Sequence, residues 1–467
     1  MRLRWCVLAT ALVMVVTACG GGSNKSGSSG TNNGGGLGGP TTTAPATNAC
    51  KTTPLTSPEV GVTPTTITVT VVADVDNGFR PGLFKGSWDA VKAWGDYMNS
   101  KGGLACRQVI VKEADSKLSP TDADNAVAAA CGNSLALVGT TALFFQNVAA
   151  MNNCKDKTGA ATGLPDLAEL QTDVSQQCSP VSFATLPTGS SCPYSGTGVR
   201  TFHVGQTQYD YYFNKYGANT LHGVFVVPKD TASTIASTMP IYRAENQLGI
   251  KSDAEFGKSG TDIQTAYTEV AQAIKNDKST YARNGLDYLG MVLERKEAQV
   301  QGVNTVKVWD CSVQCYDKRL IQSGGSAVEG QYVWLNFLPF EDKGSNADLN
   351  AFLKYDKTPD GFGAQAWIAG EIFAQGINDT MKANNGNPNS ITRANLLTSI
   401  RNMHHFDSSF APPIDVGGRV GSTCLVGMQV ENGKFVRIDP VKPGTFDCDN
   451  NKPSITISID AAKAYHG

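Results

Sequence analysis

The chain has 467 residues, with 39 Lys and Arg against 41 Asp and Glu, a formal net charge of −2, and 41% hydrophobic residues. That balance disfavours nucleic acid and anionic surfaces as partners. The length exceeds what one core organises, so two domains or lobes are expected.

Residues 1–18 read as a secretion signal: Met1-Arg2-Leu3-Arg4 precedes an apolar run from Trp5 to Val16 that is too short to span a bilayer. Arg2 and Arg4 are not adjacent, which argues against the twin-arginine route. The end of this segment, Val16-Thr17-Ala18-Cys19, resembles the lipobox of bacterial lipoproteins. The resemblance implies cleavage before Cys19 and lipidation of its sulfur, an anchor at the outer face of the cytoplasmic membrane. An ordinary export signal that contains a cysteine is the plainer alternative. Removing the signal takes away Arg2 and Arg4 and no acid, which shifts the formal charge from −2 to −4. Residues 19–62, rich in Gly, Ser, Asn, Thr and Pro, bury too little apolar surface to offset the entropy of ordering. They are expected to form a flexible tether with a span of roughly 35 Å. No later stretch is long and apolar enough to cross a bilayer.

The β-branched run ITVTVVADV (67–75) predicts a strand, and Val91, Trp94, Gly95 and Met98 share one face of a helix over 87–101. RQVIVKEA (107–114) predicts a second strand. Ser119-Pro120-Thr121-Asp122 then supplies an N-cap, a proline at the first helical position and an acid in the first turn. SLALVGTTAL (134–143) predicts a third strand. The pattern loosens from Asn152 to Arg200, where three cysteines sit among Pro, Gly, Ser and Thr. It restarts with a strand at 221–230, a helix at 231–250 bent near Pro240, a helix at 286–303 and the strand NTVKVWDC (304–311). EGQYVWLNFLPF (329–340) is extended, a long helix covers 362–381, and Ser390 caps one more helix through Met403. Alternating strands and helices predict an α/β fold with mainly parallel sheets flanked by helices.

Twelve cysteines are present; setting aside Cys6 and Cys19 leaves Cys50, Cys106, Cys131, Cys154, Cys178, Cys192, Cys311, Cys315, Cys424 and Cys448. An even number in an exported chain reads as disulfides, and no second cysteine pair or histidine supports a zinc site at Cys311 and Cys315. Proximity in the proposed fold suggests Cys106–Cys131, Cys311–Cys315 and Cys424–Cys448, although sequence alone leaves connectivity open.

The run from ITVTVVADV through GSWDAVKAWGDYMNSKGGLACRQVIVKEADSKLSPTDADNAVAAAC to LALVGTTAL resembles the opening of the branched-chain amino-acid (Leu/Ile/Val) binding proteins of ABC importers, the type I periplasmic-binding fold. VRTFHVGQTQYDYY, GVFVVPKD and EGQYVWLNFLPF continue in the same order, over roughly residues 62–440. The chain departs from that pattern in the segment 152–200, in its number of cysteines and in the tail after Cys448. The resemblance implies two lobes joined by crossover hinge strands, closing over a small ligand. Lobe 1 would comprise 63–204 and 342–405, lobe 2 would comprise 205–341 and 406–450, and 451–467 would be a C-terminal tail. It further implies an amino-acid-like ligand, an ABC permease and ATPase as partners, a monomer and no cofactor.

Ligands of open parallel sheets sit beyond the carboxyl ends of the strands, near helix N-termini that favour a carboxylate. By the resemblance, Thr140 and Thr141 stand where the family holds that carboxylate, and Asp310 stands where it places an acid for the ammonium group. The bland alternatives are a capping pair and a turn residue. Asn284, Asp287, Asp230 and Glu169 fall in predicted cleft-edge loops, where a solvated role is the ordinary one. Phe79 and Phe144 are candidate apolar walls. The family's second-lobe tyrosines are not evident at the matching loops, although Tyr288 is near.

Two other classes compete with this reading. An exported hydrolase finds no support in GxSxG or HExxH, neither of which occurs, and the lack of GxxxxGK[ST] places any ATPase on another chain. A sensor of the same fold, signalling to a membrane receptor, is the nearer alternative, since fold does not fix function.

Overall fold

The computed structural model describes residues 49–78, 80–187, 199–229, 232–253, 256–448 and 454–460. Expectations for the signal, Cys19, most of the tether, Phe79, Asp230 and Cys192 lie outside the described residues.

The first sheet is built from β1 (Thr66–Ala73), β2 (Gln108–Asp115), β3 (Ala136–Thr140), β4 (Asp166–Ala168) and β5 (Ser182–Ala184), all parallel, in the order β2-β1-β3-β4-β5. Val69, Val71, Val72, Leu137 and Val138 are fully buried, as expected of central strands covered on both faces. The helix Lys85–Ser100 connects β1 to β2, and Pro120–Asn133 connects β2 to β3 with Ser119 accepting from the Asp122 N–H as its N-cap. Against the first of these lies the long helix Gly361–Ala383, where Gly370 lets the backbone approach Trp94 closely.

The second sheet follows β6 (Val199–Val204) and runs through β7 (His222–Pro228), β8 (Lys251–Asp253), β9 (Gly257–Lys258), β10 (Tyr281–Asn284), β11 (Val308–Cys311), β12 (Tyr332–Leu335), β13 (Val426–Glu431) and β14 (Lys434–Asp439). Its order is β14-β13-β12-β11-β10-β7-β8, with β9 also beside β7; β8 to β12 are parallel, and β13 and β14 add an antiparallel hairpin. Strand order reverses between β1 and β3 in one sheet and between β7 and β10 in the other. Parallel sheets offer ligand crevices at the carboxyl ends of such switch points.

Several expectations need correction. The segment 152–200, read as irregular, contributes β4 and β5. Each has three residues, too few to show a period, and the buried Asp166 breaks the apolar run. The helix expected to start at Ser390 is capped by Thr392, whose hydroxyl accepts from the Asn395 N–H, because Pro388–Ser390 is taken up by a 3₁₀ turn. Disulfides join Cys50 to Cys106, Cys131 to Cys154, Cys311 to Cys315 and Cys424 to Cys448, and Cys178 is also disulfide-bonded. Cys106 and Cys131, expected as one pair, therefore belong to two: residue 50 folds back onto the start of β2, and the helix end at Cys131 is tied to the chain at Cys154. Within the segment set apart as a tail, β15 (Ile455–Asp460) pairs antiparallel with β6. Phe202, Ile455 and Ile457 of this pair pack with Phe225, Val227 and Met239.

Candidate functional site

A cavity of about 180 Å³ lies between the carboxyl ends of the two sheets. From the first-sheet side it is lined by Arg80, Pro81 and Leu83 after β1, and by Asp360, Gly361 and Phe362 at the start of the long helix. The second sheet contributes Asp287, Tyr288 and Leu289 after β10, and the segment Val313 to Arg319 after β11. The Cys311–Cys315 disulfide and the 3₁₀ turn Val313–Cys315 give that last segment its shape.

Three contacts hold the sides together. Arg80 pairs with Asp287 at 3.0 Å and donates through Nε to the Gly260 carbonyl. The loop that carries Arg80 is fixed by Asn77, whose side chain accepts from the Arg80 N–H and donates to the Arg80 carbonyl. The Gly361 N–H donates to the Tyr316 carbonyl at 3.1 Å, and a Cβ at Gly361 would stand 2.6 Å from the Val313 carbonyl oxygen. The site is thus closed on itself, and Gly361 is a glycine because the opposite backbone comes this near.

The charges are ordered. Asp317 caps the helix Lys318–Gly324 and pairs with Arg319 at 2.6 Å, while the Arg319 guanidinium lies 4.6 Å over the Tyr288 ring. Asp360 caps the long helix by accepting from the Gly363 N–H at 2.7 Å, with its carboxyl against Gly86, where a Cβ would meet it at 2.2 Å. Burial strips water from this carboxyl, and Asp317 and Asp356 repel its charge. Its pKa is pushed up to about 7 despite the Gly363 N–H and Arg319. Glu169 is fully buried nearby with neither carboxyl oxygen in a geometric hydrogen bond. Burial first, and the Asp360 charge after it, hold Glu169 well above the usual carboxyl range, against a lowering by the Thr141 hydroxyl.

Of the sequence-predicted residues, Asp287 lines the cavity, and it also caps the helix Tyr288–Val300. Thr140 and Thr141 are fully buried under the site: Thr140 donates to Asp166 at 2.7 Å, and the Thr141 hydroxyl lies within hydrogen-bond distance of the Gly139 carbonyl and the Ser87 hydroxyl. Asn284 ends β10, where it donates to Glu294 at 2.7 Å and is not in a loop. Phe144 is half-buried and is not among the residues around the cavity. Asp310 is placed inside the second sheet's own packing. It accepts from Tyr212 at 2.6 Å and Tyr281 at 2.9 Å and pairs with Arg283, which also reaches Glu245 at 3.3 Å.

Arg80, Arg319, Asp317, Asp360, Tyr288 and Phe362 frame the cavity, and none was assigned a role from sequence. A signal existed for three: Tyr288 stood near the loop where the resemblance looks for tyrosines, Asp360 directly precedes the glycine-led long helix, and Arg80 directly follows Phe79. Among the described residues no group of three or more His, Cys, Asp or Glu could hold a metal ion, and no helix is long and apolar enough to cross a membrane.

Solved structures share this architecture. An ABC-transporter substrate-binding protein of Aeropyrum pernix superposes with a TM-score of 0.64 at 13% identity, covering 86% of this chain and 98% of that one. The leucine-binding protein LivK of Thermotoga maritima gives 0.59 at 18% identity, covering 80% and 97%. A solute-binding protein of R. palustris in complex with benzoate gives 0.58 at 18% identity, covering 82% and 98%. No curated protein matches the chain. At these identities the likeness carries the type I periplasmic-binding fold. The family described as periplasmic binding protein matches residues 66–434. With that match over most of its length, and a ligand-sized cavity between two α/β lobes, the chain belongs to the periplasmic binding protein family.

Proposed function

We propose that this chain is an exported, lipid-anchored solute-binding protein that captures a small polar ligand, an amino acid or related compound, between its lobes and delivers it to an ABC importer. The observation that carries the reading is the cavity lined from both sheets and closed by Arg80 against Asp287. A ligand touching both sides favours the closed form over the open one, and that difference is what a permease can recognise. The Thermotoga maritima and R. palustris proteins named above, by their descriptions a leucine binder and a benzoate complex, support a small organic solute. The lipobox-like Val16-Thr17-Ala18-Cys19 and the Gly/Ser-rich stretch after it support anchoring through Cys19.

The test has two arms. Thermal-shift screening of the protein against amino acids, amides, polyamines, urea and short peptides should give at least one solute that raises the melting temperature, because a ligand bound only by the native state stabilises it. Cys19→Ser should move the protein from the membrane fraction to the soluble one. A protein that no solute stabilises, or that stays with the membrane without Cys19, contradicts the corresponding half of the proposal.

A further inference from the structure

The charges around the cavity are unevenly matched. The two guanidiniums are each taken by an acid within the site, Arg80 by Asp287 at 3.0 Å and Arg319 by Asp317 at 2.6 Å. The third acid, Asp360, forms no ion pair among the described residues; its one hydrogen bond comes from the Gly363 N–H. The formal sum over the lining is therefore one negative charge, and it rests on Asp360. Near it stands Glu169, fully buried, a second acid whose only polar influence is the Thr141 hydroxyl, so the one cation that acts on Asp360 is Arg319, already paired with Asp317. The walls beside Asp360 are apolar or aromatic: Phe362, Leu83 and Tyr288.

We propose that this cavity selects its ligand by a single positive charge, taking a small protonated amine or amidinium whose cation is held by Asp360 and whose apolar part lies against Phe362, Leu83 and Tyr288. This rests on the reading of the cavity as the solute site and narrows its ligand from amino acids to related amines that lack the carboxylate. Burial makes the charged form of Asp360 costly and favours its protonation, and a ligand cation beside it offsets that cost and holds the carboxylate ionised. A ligand carboxylate would meet two guanidiniums already bonded and one acid of its own sign, which is repulsive. Size sets the second limit. A cavity of about 150 Å³ accepts benzene, so this one, at about 180 Å³, holds a ligand of that size or modestly larger, on the order of six to nine non-hydrogen atoms.

The experiment compares three probes with one branched tail by calorimetry: isoamylamine, leucine and 4-methylpentanoate. The cation should bind at least about tenfold more tightly than the anion, with leucine no tighter than isoamylamine. Asp360→Asn retains a good helix cap and should lower isoamylamine affinity at least about tenfold, with the melting temperature of the variant checking that it folds. Preferential binding of 4-methylpentanoate or leucine, or amine binding indifferent to Asp360→Asn, would overturn the charge assignment while leaving the cleft as the solute site. No binding by any of the three would also overturn it, and the broader solute panel then decides separately whether the cleft binds a solute at all.

Discussion

Replacing Arg80 by Met removes the ion pair that joins the two sides of the cavity while keeping much of the side chain's bulk. The Arg80 and Asp287 side chains are 13% and 14% exposed, so the pair is partly desolvated, and Arg80 also satisfies the Gly260 carbonyl. Hydrogen bonds to charged groups contribute about 1.5–3 kcal/mol. Part of that is recovered in the open form, where water solvates both groups, so the closed state should lose about 1–2 kcal/mol. If only the closed form binds and the open form predominates without solute, apparent affinity scales with the closed population, and the loss is about fivefold to thirtyfold. Calorimetric titration of a solute from the panel measures this, and small-angle scattering of the ligand-bound variant should show a larger radius of gyration at subsaturating solute. Asp287→Asn should act alike, and the double variant should lose less than the two singles together, a coupling of about 1 kcal/mol. Singles that bind like the parent, or a strictly additive double, would refute the latch.

Asp310→Asn should lower stability by about 3 kcal/mol, seen in denaturant unfolding, because Arg283 loses one of its two buried acids. Gly370→Ala places a Cβ 2.5 Å from the Trp94 ring and should cost about 1–3 kcal/mol in the same assay, with the cavity untouched. Ligand-free stability should fall between about pH 5 and pH 9. Burial pushes Asp360 up to about 7 and Glu245 and Glu294 up to about 8, so the folded state holds these protons more tightly than the unfolded one. That stability is fully present below the ordinary carboxyl range and is lost as pH rises through the raised values. A melting temperature that climbs over this range would contradict it.

The fold was legible where strands are long and apolar. β1, β2, β3 and β7 announce themselves as β-branched runs, and Ser119-Pro120 marks a helix start that the structure reproduces. Short strands with buried polar residues were not legible: β4 carries Asp166, and β10 carries Arg283 and Asn284, all satisfied by distant partners such as Ser182, Glu245 and Glu294. The return of β15 to β6 depends on a pairing between distant segments, which local pattern does not encode, whereas the hairpin of β13 and β14 turns on Asn432-Gly433, a local signal that the reading passed over. The site was harder still. Sequence could mark Asp287 as cleft-edge, but which acids face a cavity and which face a buried arginine is decided by strand order. Asp310 and Asp360 are both acids at the edge of an element; one ends inside the packing with Arg283 and the other on the cavity wall. Cys106 likewise found Cys50 because the chain before β1 folds back onto β2, a contact no spacing rule contains.

The central claim is that a solute is held by closure of the two sides, and Gly361 tests it most directly. Gly361→Ala puts a methyl group 2.6 Å from the Val313 carbonyl oxygen across the closed cleft without entering the core of either sheet. Thermal shift with a solute that stabilises the parent should show a ligand-free melting temperature near the parent's and a ligand-induced rise that is largely abolished. A rise equal to the parent's, in a variant that cannot close in this way, would contradict the account.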